Sequence, residues 1–121
     1  MKATAASRIA AVLGVLAVGL GAFGAHGLKH LLEANGTSQI WEKAVFYHFI
    51  HTVMLFVLAE ARLFRPVAWW CFFVGIILFS GSLYVLAILN IRWLGAITPF
   101  GGTAFIVGWV SLAWPRGASA K

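Results

Sequence analysis

The sequence predicts an all-α integral membrane protein: a four-transmembrane-helix bundle with a short interfacial helix between helices 1 and 2. Three observations carry this. The chain is 62% hydrophobic and only 10% charged, with a mean hydropathy of +0.94; a soluble domain carries about 25% charged residues. Its apolar residues gather into four runs of spanning length, over residues 9–28, 41–61, 67–89 and 97–114, and about 20 apolar residues cross the hydrocarbon as a helix. The charged residues collect at the ends of those runs, where headgroups and water begin. The whole chain, 1–121, reads as one transmembrane domain with no internal repeat.

The net charge is +6. It comes without a basic run or a zinc-finger spacing, so nucleic acid is not an expected partner; membrane lipids are. Cys71 is the only cysteine and lies in an apolar run, which excludes an intrachain disulfide and suits a small hydrophobe.

The first span follows a short basic start with Lys2 and Arg8. A basic head before an apolar run also describes a signal peptide, but this run is longer than the roughly 7–15 residues of a signal core. Ala10, Gly14, Ala17, Gly21 and Ala25 recur at spacings of three and four, so one face is small and admits a neighbouring helix closely. Next, Leu28, Leu31 and Leu32 share a face beside Lys29, His30 and Glu33, the pattern of a helix lying in the interface. Gly36 ends it, and Thr37-Ser38 offers a cap for the second span.

Trp41 fits a headgroup anchor at the start of the second span, and Glu60, Arg62, Arg65 and Pro66 mark its far end. Trp69 and Trp70 stand near the beginning of the third span, and Ser80, Ser82 and Tyr84 in its second half. Thr98 is placed to cap the fourth span and Pro99 fits its first turn. Gly101, Ala104, Gly108 and Ser111 form a second small face, expected to receive a neighbour such as the first helix. Pro115-Arg116 closes the span, and residues 117–121 are expected to fray.

With four spans, both termini and the turn between spans 2 and 3 share a side. Lys2, Arg8, Arg62, Arg65, Arg116 and Lys121 lie there, against Lys29, Lys43 and Arg92 opposite. Six against three predicts cytoplasmic termini.

That orientation groups the polar side chains. His26 ends helix 1, Tyr47 and His48 lie in the outer half of helix 2 with His51 near the midplane, and Ser80, Ser82, Tyr84 and Thr98 sit at similar depth. Unpaired polar groups in hydrocarbon are costly, so a shared cluster is the economical arrangement. Tyr47 and His51 are four apart and stack on one face. The cluster reads either as interhelical glue or as a site.

A metal is not expected: there is no HExxH, CxxC or Cys–His spacing, and no cofactor is implied. An enzyme is not expected, for want of a mid-span carboxylate, a GxSxG or a triad.

Gly21-Ala22-Phe23-Gly24-Ala25-His26, Tyr47, His51-Thr52, Phe79-Ser80-Gly81-Ser82-Leu83-Tyr84, Thr98-Pro99 with Gly101-Gly102, and Gly108-Trp109 resemble small bacterial inner-membrane proteins of the YgdD/YwdK type. That family has no assigned activity and counts a small mitochondrial transmembrane protein as a eukaryotic relative. The resemblance runs from about residue 14 to 114 and implies four helices in the inner membrane. It draws attention to His26, Tyr47, His51, Ser80, Ser82, Tyr84 and Thr98; His30 and His48 fall outside its motifs.

The expected role is non-enzymatic binding of a lipid or small polar or aromatic ligand in an outward-facing pocket around His26, Tyr47 and His51. The alternative is a structural accessory subunit or self-associating scaffold, joined to a second copy or another membrane protein through its small faces at Gly14, Ala17, Gly21, Gly101 and Gly108. A small channel or transporter is a third reading, and would need oligomers.

Overall fold

The computed structural model describes residues 3–114. Lys2, Pro115-Arg116 and residues 117–121 lie outside the described residues, and with them part of the charge count and the expected close of the last span.

Helix α1 (Ala3–Ala25) is the first span. A turn over residues 26–28 breaks it before α2 (Lys29–Asn35). Gly36, at φ 67°, ends α2 in the left-handed conformation; its N–H reaches the Glu33 carbonyl and that of Thr37 the Leu32 carbonyl. Helix α3 (Ser38–Glu60) is the second span. The third is built in three pieces: α4 (Pro66–Gly75), a π-helical segment Ile76–Ser80, and α5 (Gly81–Leu89). Asn90, at φ 56°, ends it. A 3₁₀ turn, Arg92–Ala96, leads to α6 (Thr98–Ala113), with Pro66 and Pro99 in the first turns of their helices, where the missing N–H costs nothing.

Among the described residues four helices are thus long and apolar enough to cross a membrane, and the α2 and 3₁₀ turns lie at the same end. The second and third spans are the central pair, and the first and fourth flank them. The small face of α1 packs on α3: Ala10 and Ala17 are buried, and Val45 and Thr52 stand over Gly21 and Gly14. The second small face packs on the third span, not on α1 as expected. Phe72 fills the space over Gly108, Phe105 that over Gly75, and Gly101 lies against the Phe79 backbone. The reason is a fit of rings into glycine gaps; the single ring of α1, Phe23, lies over Gly27 at the far end of its own helix.

Two hydroxyls expected to cap their own helices, Thr37 and Thr98, bond elsewhere. Thr37 Oγ1 and Asn35 Nδ2 donate to the Ala87 carbonyl at 2.8 and 3.0 Å, and Asn35 also to that of Ile88 at 3.1 Å. These carbonyls belong to the last turn of α5 and have no partner within the helix. Thr98 likewise makes no cap; its hydroxyl meets Ser82 Oγ at 2.7 Å. At the opposite end Arg65 donates to the carbonyls of Ser111 at 2.7 Å and Leu112 at 3.4 Å, a cation on the C-terminal end of α6. Ser7 donates to Glu60 near the same end, tying α1 to α3.

Candidate functional site

Helix α3 places His48 and His51 inward, 3% and 5% exposed. His48 Nε2 lies 3.0 Å from the Leu13 carbonyl, which only accepts, so Nε2 carries the proton. Nδ1 therefore accepts from the Tyr84 hydroxyl at 2.8 Å. One neutral imidazole ties three spans together. His51 has the other tautomer by the same logic. Its Nδ1 donates to the Tyr47 carbonyl at 2.8 Å, and its Nε2 accepts from the Trp109 indole at 3.0 Å. Its ring stacks on Phe105, with centroids 3.7 Å apart and planes 10° apart.

Ser80 Oγ donates to the Ala44 carbonyl at 2.7 Å, and Ser82 joins Thr98. The π segment, one residue wider per turn, brings Ser80 to α3 and Phe79 to α6. His51, Ser80, Ser82, Tyr84 and Thr98 are each hydrogen-bonded to a neighbouring helix, in separate pairs; His26 is not among them. That residue sits exposed in the turn after α1, away from the network. Tyr47 is 37% exposed, with its ring against Phe79 and parallel to His51. His48, which the motifs omit, is the residue that joins α3 to both α1 and α5. Its spacing of three from His51 was the only signal of it in the sequence.

The result is a set of short, closed circuits. Both nitrogens of both buried histidines are occupied by protein, and the rings of Phe72 and Phe105 pack on His51. The Thr52 hydroxyl and the Trp69 indole N–H are buried without a hydrogen-bond partner among the described residues.

Open space lies one groove away. A cleft of about 760 Å³ runs between α1, α2 and α3. Ala17, Leu32 and Trp41 are its buried floor; Val18, Phe46 and Phe49 are exposed walls; Lys29, Glu33, Ser38 and Glu42 stand at its mouth. None of His26, Tyr47 or His51 lines it.

Trp41 is the residue that shapes this cleft. Expected as a headgroup anchor, it is instead 2% exposed, with its indole N–H on the Leu20 carbonyl at 3.0 Å. Gly24 makes the seat: a Cβ there would come within 2.2 Å of the indole nitrogen. Trp93 and Trp114, both exposed at span ends, take the interfacial positions. A smaller cleft of about 350 Å³, between the start of α4 and the end of α6, is lined by Arg65, whose guanidinium serves the α6 carbonyls.

Comparison with known proteins places this geometry. The family model described as "Protein of unknown function (DUF423)" matches residues 20–102, more than half of the chain. The chain belongs to the DUF423 family. DUF423 relatives at high identity carry the name UPF0382 membrane protein. YwdK of Bacillus subtilis is 46% identical over 110 residues, spanning 86% of this chain and 89% of its own. SSP2132 of Staphylococcus saprophyticus is 47% identical over 108 residues, with the same coverage. A Haemophilus influenzae relative is 42% identical over 110 residues and covers 88% of each chain. No solved structure matches. The DUF423 model covers Trp41 and its Gly24 seat, both histidines of α3, the π segment and Gly101.

Proposed function

We propose that this membrane protein binds a lipid in the cleft between α1, α2 and α3, and that it performs no chemistry of its own. The cleft carries the reading. Its apolar floor and walls suit an acyl chain, and its charged mouth lies where a headgroup would be. The polar network of α3, α5 and α6 then serves as support, holding the three spans at fixed separation while α1 and α2 form the far side of the groove. This moves the site from His26, Tyr47 and His51 to the neighbouring groove, because both His51 nitrogens are already bonded to protein and His26 lies in the exposed turn after α1.

Native mass spectrometry after extraction in a mild detergent tests the reading. Wild type is expected to retain one phospholipid mass per protomer. Val18→Trp, at an exposed wall position, should lose it at unchanged melting temperature, and His51→Phe should keep it. A bare protomer, or a homo-oligomer without bound lipid, would contradict the proposal and favour a self-associating scaffold.

We place the protein in the bacterial inner (plasma) membrane with both termini cytoplasmic, on the six-to-three excess of Lys and Arg on the terminal side. The cleft mouth then opens to the outer leaflet. Alkaline phosphatase fused to the C-terminus should be inactive; activity there would reverse the orientation.

A further inference from the structure

The chain has only three acidic residues, Glu33, Glu42 and Glu60. Glu60 is taken by Ser7 at the terminal side. The other two both stand at the mouth of the α1–α2–α3 cleft, exposed, with Lys29 as the one Lys or Arg in the lining among the described residues. A protein of net charge +6 thus presents a mouth in which carboxylates outnumber amines by two to one. Headgroup-level positive charge elsewhere on this side is supplied by Lys43 and Arg92, neither of which lines the cleft.

From this charge pattern we infer that the cleft selects a zwitterionic phospholipid with a primary amine, of the phosphatidylethanolamine type. The inference rests on the cleft being a lipid site. An ethanolamine headgroup carries a phosphate and an ammonium in tandem. Lys29 meets the phosphate; Glu33 and Glu42 accept from the ammonium, which offers three N–H donors. Lys29 and Glu33 are four apart on α2, so one helical face presents the two signs in sequence. The apolar body suits the acyl chain: Ala17, Leu32 and the Trp41 ring seated on Gly24 floor it, and Val18, Phe46 and Phe49 wall it. An anionic headgroup such as phosphatidylglycerol finds one cation there and two carboxylates of its own sign. A choline headgroup keeps the charge but has no N–H to donate. The Trp41 indole is no part of the recognition, since its N–H is held by Leu20.

The test is competition for the full-length protein in nanodiscs of equimolar phosphatidylethanolamine, phosphatidylglycerol and phosphatidylcholine, read by native mass spectrometry after release into mild detergent. Wild type is expected to retain phosphatidylethanolamine about fivefold over each of the others, the size that two rim carboxylates provide. The double variant Glu33→Gln/Glu42→Gln should still hold one lipid, with the preference gone or turned toward phosphatidylglycerol. Retention of all three lipids in proportion to their abundance would overturn the headgroup assignment. So would a preference that survives the double variant, or equal retention of phosphatidylcholine. Absence of any lipid on wild type would overturn the cleft reading itself, and so separates the two failures.

Discussion

Gly101→Ala is expected to destabilise the protein by about 3 kcal/mol, the upper end of what overpacking costs. The added Cβ would lie 2.3 Å from the Phe79 backbone nitrogen and 2.7 Å from its Cα. A side chain can turn away from such a contact; a backbone held by its own helix cannot. The π segment and α6 must separate, and the separation would also strain the neighbouring Ser82–Thr98 bond and the Phe105 ring over Gly75. Gly102→Ala is the internal control. Its Cβ would meet Phe79 only at ordinary contact, 3.8 Å, so the change should be neutral or stabilise by up to about 1 kcal/mol through helix propensity. Thermal unfolding of both variants in one detergent checks this. Equal melting temperatures for the two would remove close approach as the reason for the glycine.

His48→Leu is expected to cost about 2–3 kcal/mol. It removes two hydrogen bonds and leaves the Tyr84 hydroxyl without its partner in a half-buried, apolar setting. Tyr84→Phe alone should cost about 1 kcal/mol, near the range measured for single bonds between membrane helices. In the His48→Leu background the second change should cost nothing, because the hydroxyl it removes is already unpaired. A double-mutant cycle reads this as a coupling of about 1 kcal/mol. Strict additivity would mean that histidine and tyrosine act separately.

The spans were legible because hydropathy and end charges act residue by residue and need no partner. The small face of α1 was legible for the same reason: its period is local, and Ala10 and Ala17 are buried as the period requires. What escaped is everything decided by a partner far along the chain. Thr37 reads as the cap of α3, yet its hydroxyl serves the Ala87 carbonyl fifty residues on. Trp41 reads as an interfacial anchor until Gly24 is seen to leave room for the ring. The π segment has no local signature; the Gly101 contact with Phe79 and the Ser80 bond to Ala44 both depend on it. The candidate site was half legible. That Tyr47, His51, Ser80, Ser82, Tyr84 and Thr98 meet across helices follows from the cost of burying polar groups singly. That their partners are His48, Trp109 and backbone carbonyls as well as one another, and that the open groove lies beside them, depends on side-chain geometry.

The central claim is that lipid occupies the α1–α2–α3 cleft in preference to other bilayer-facing surface. The most direct test is a phosphatidylethanolamine with a diazirine in its acyl chain, irradiated in nanodiscs with the full-length protein, and adducts located by peptide mass spectrometry. Adducts should concentrate on Val18, Phe46 and Phe49. Val57 and Ile106 face the bilayer at comparable exposure outside the cleft, and should be labelled severalfold less. Labelling that follows exposure alone, with Ile106 marked as heavily as Phe46, would contradict the claim.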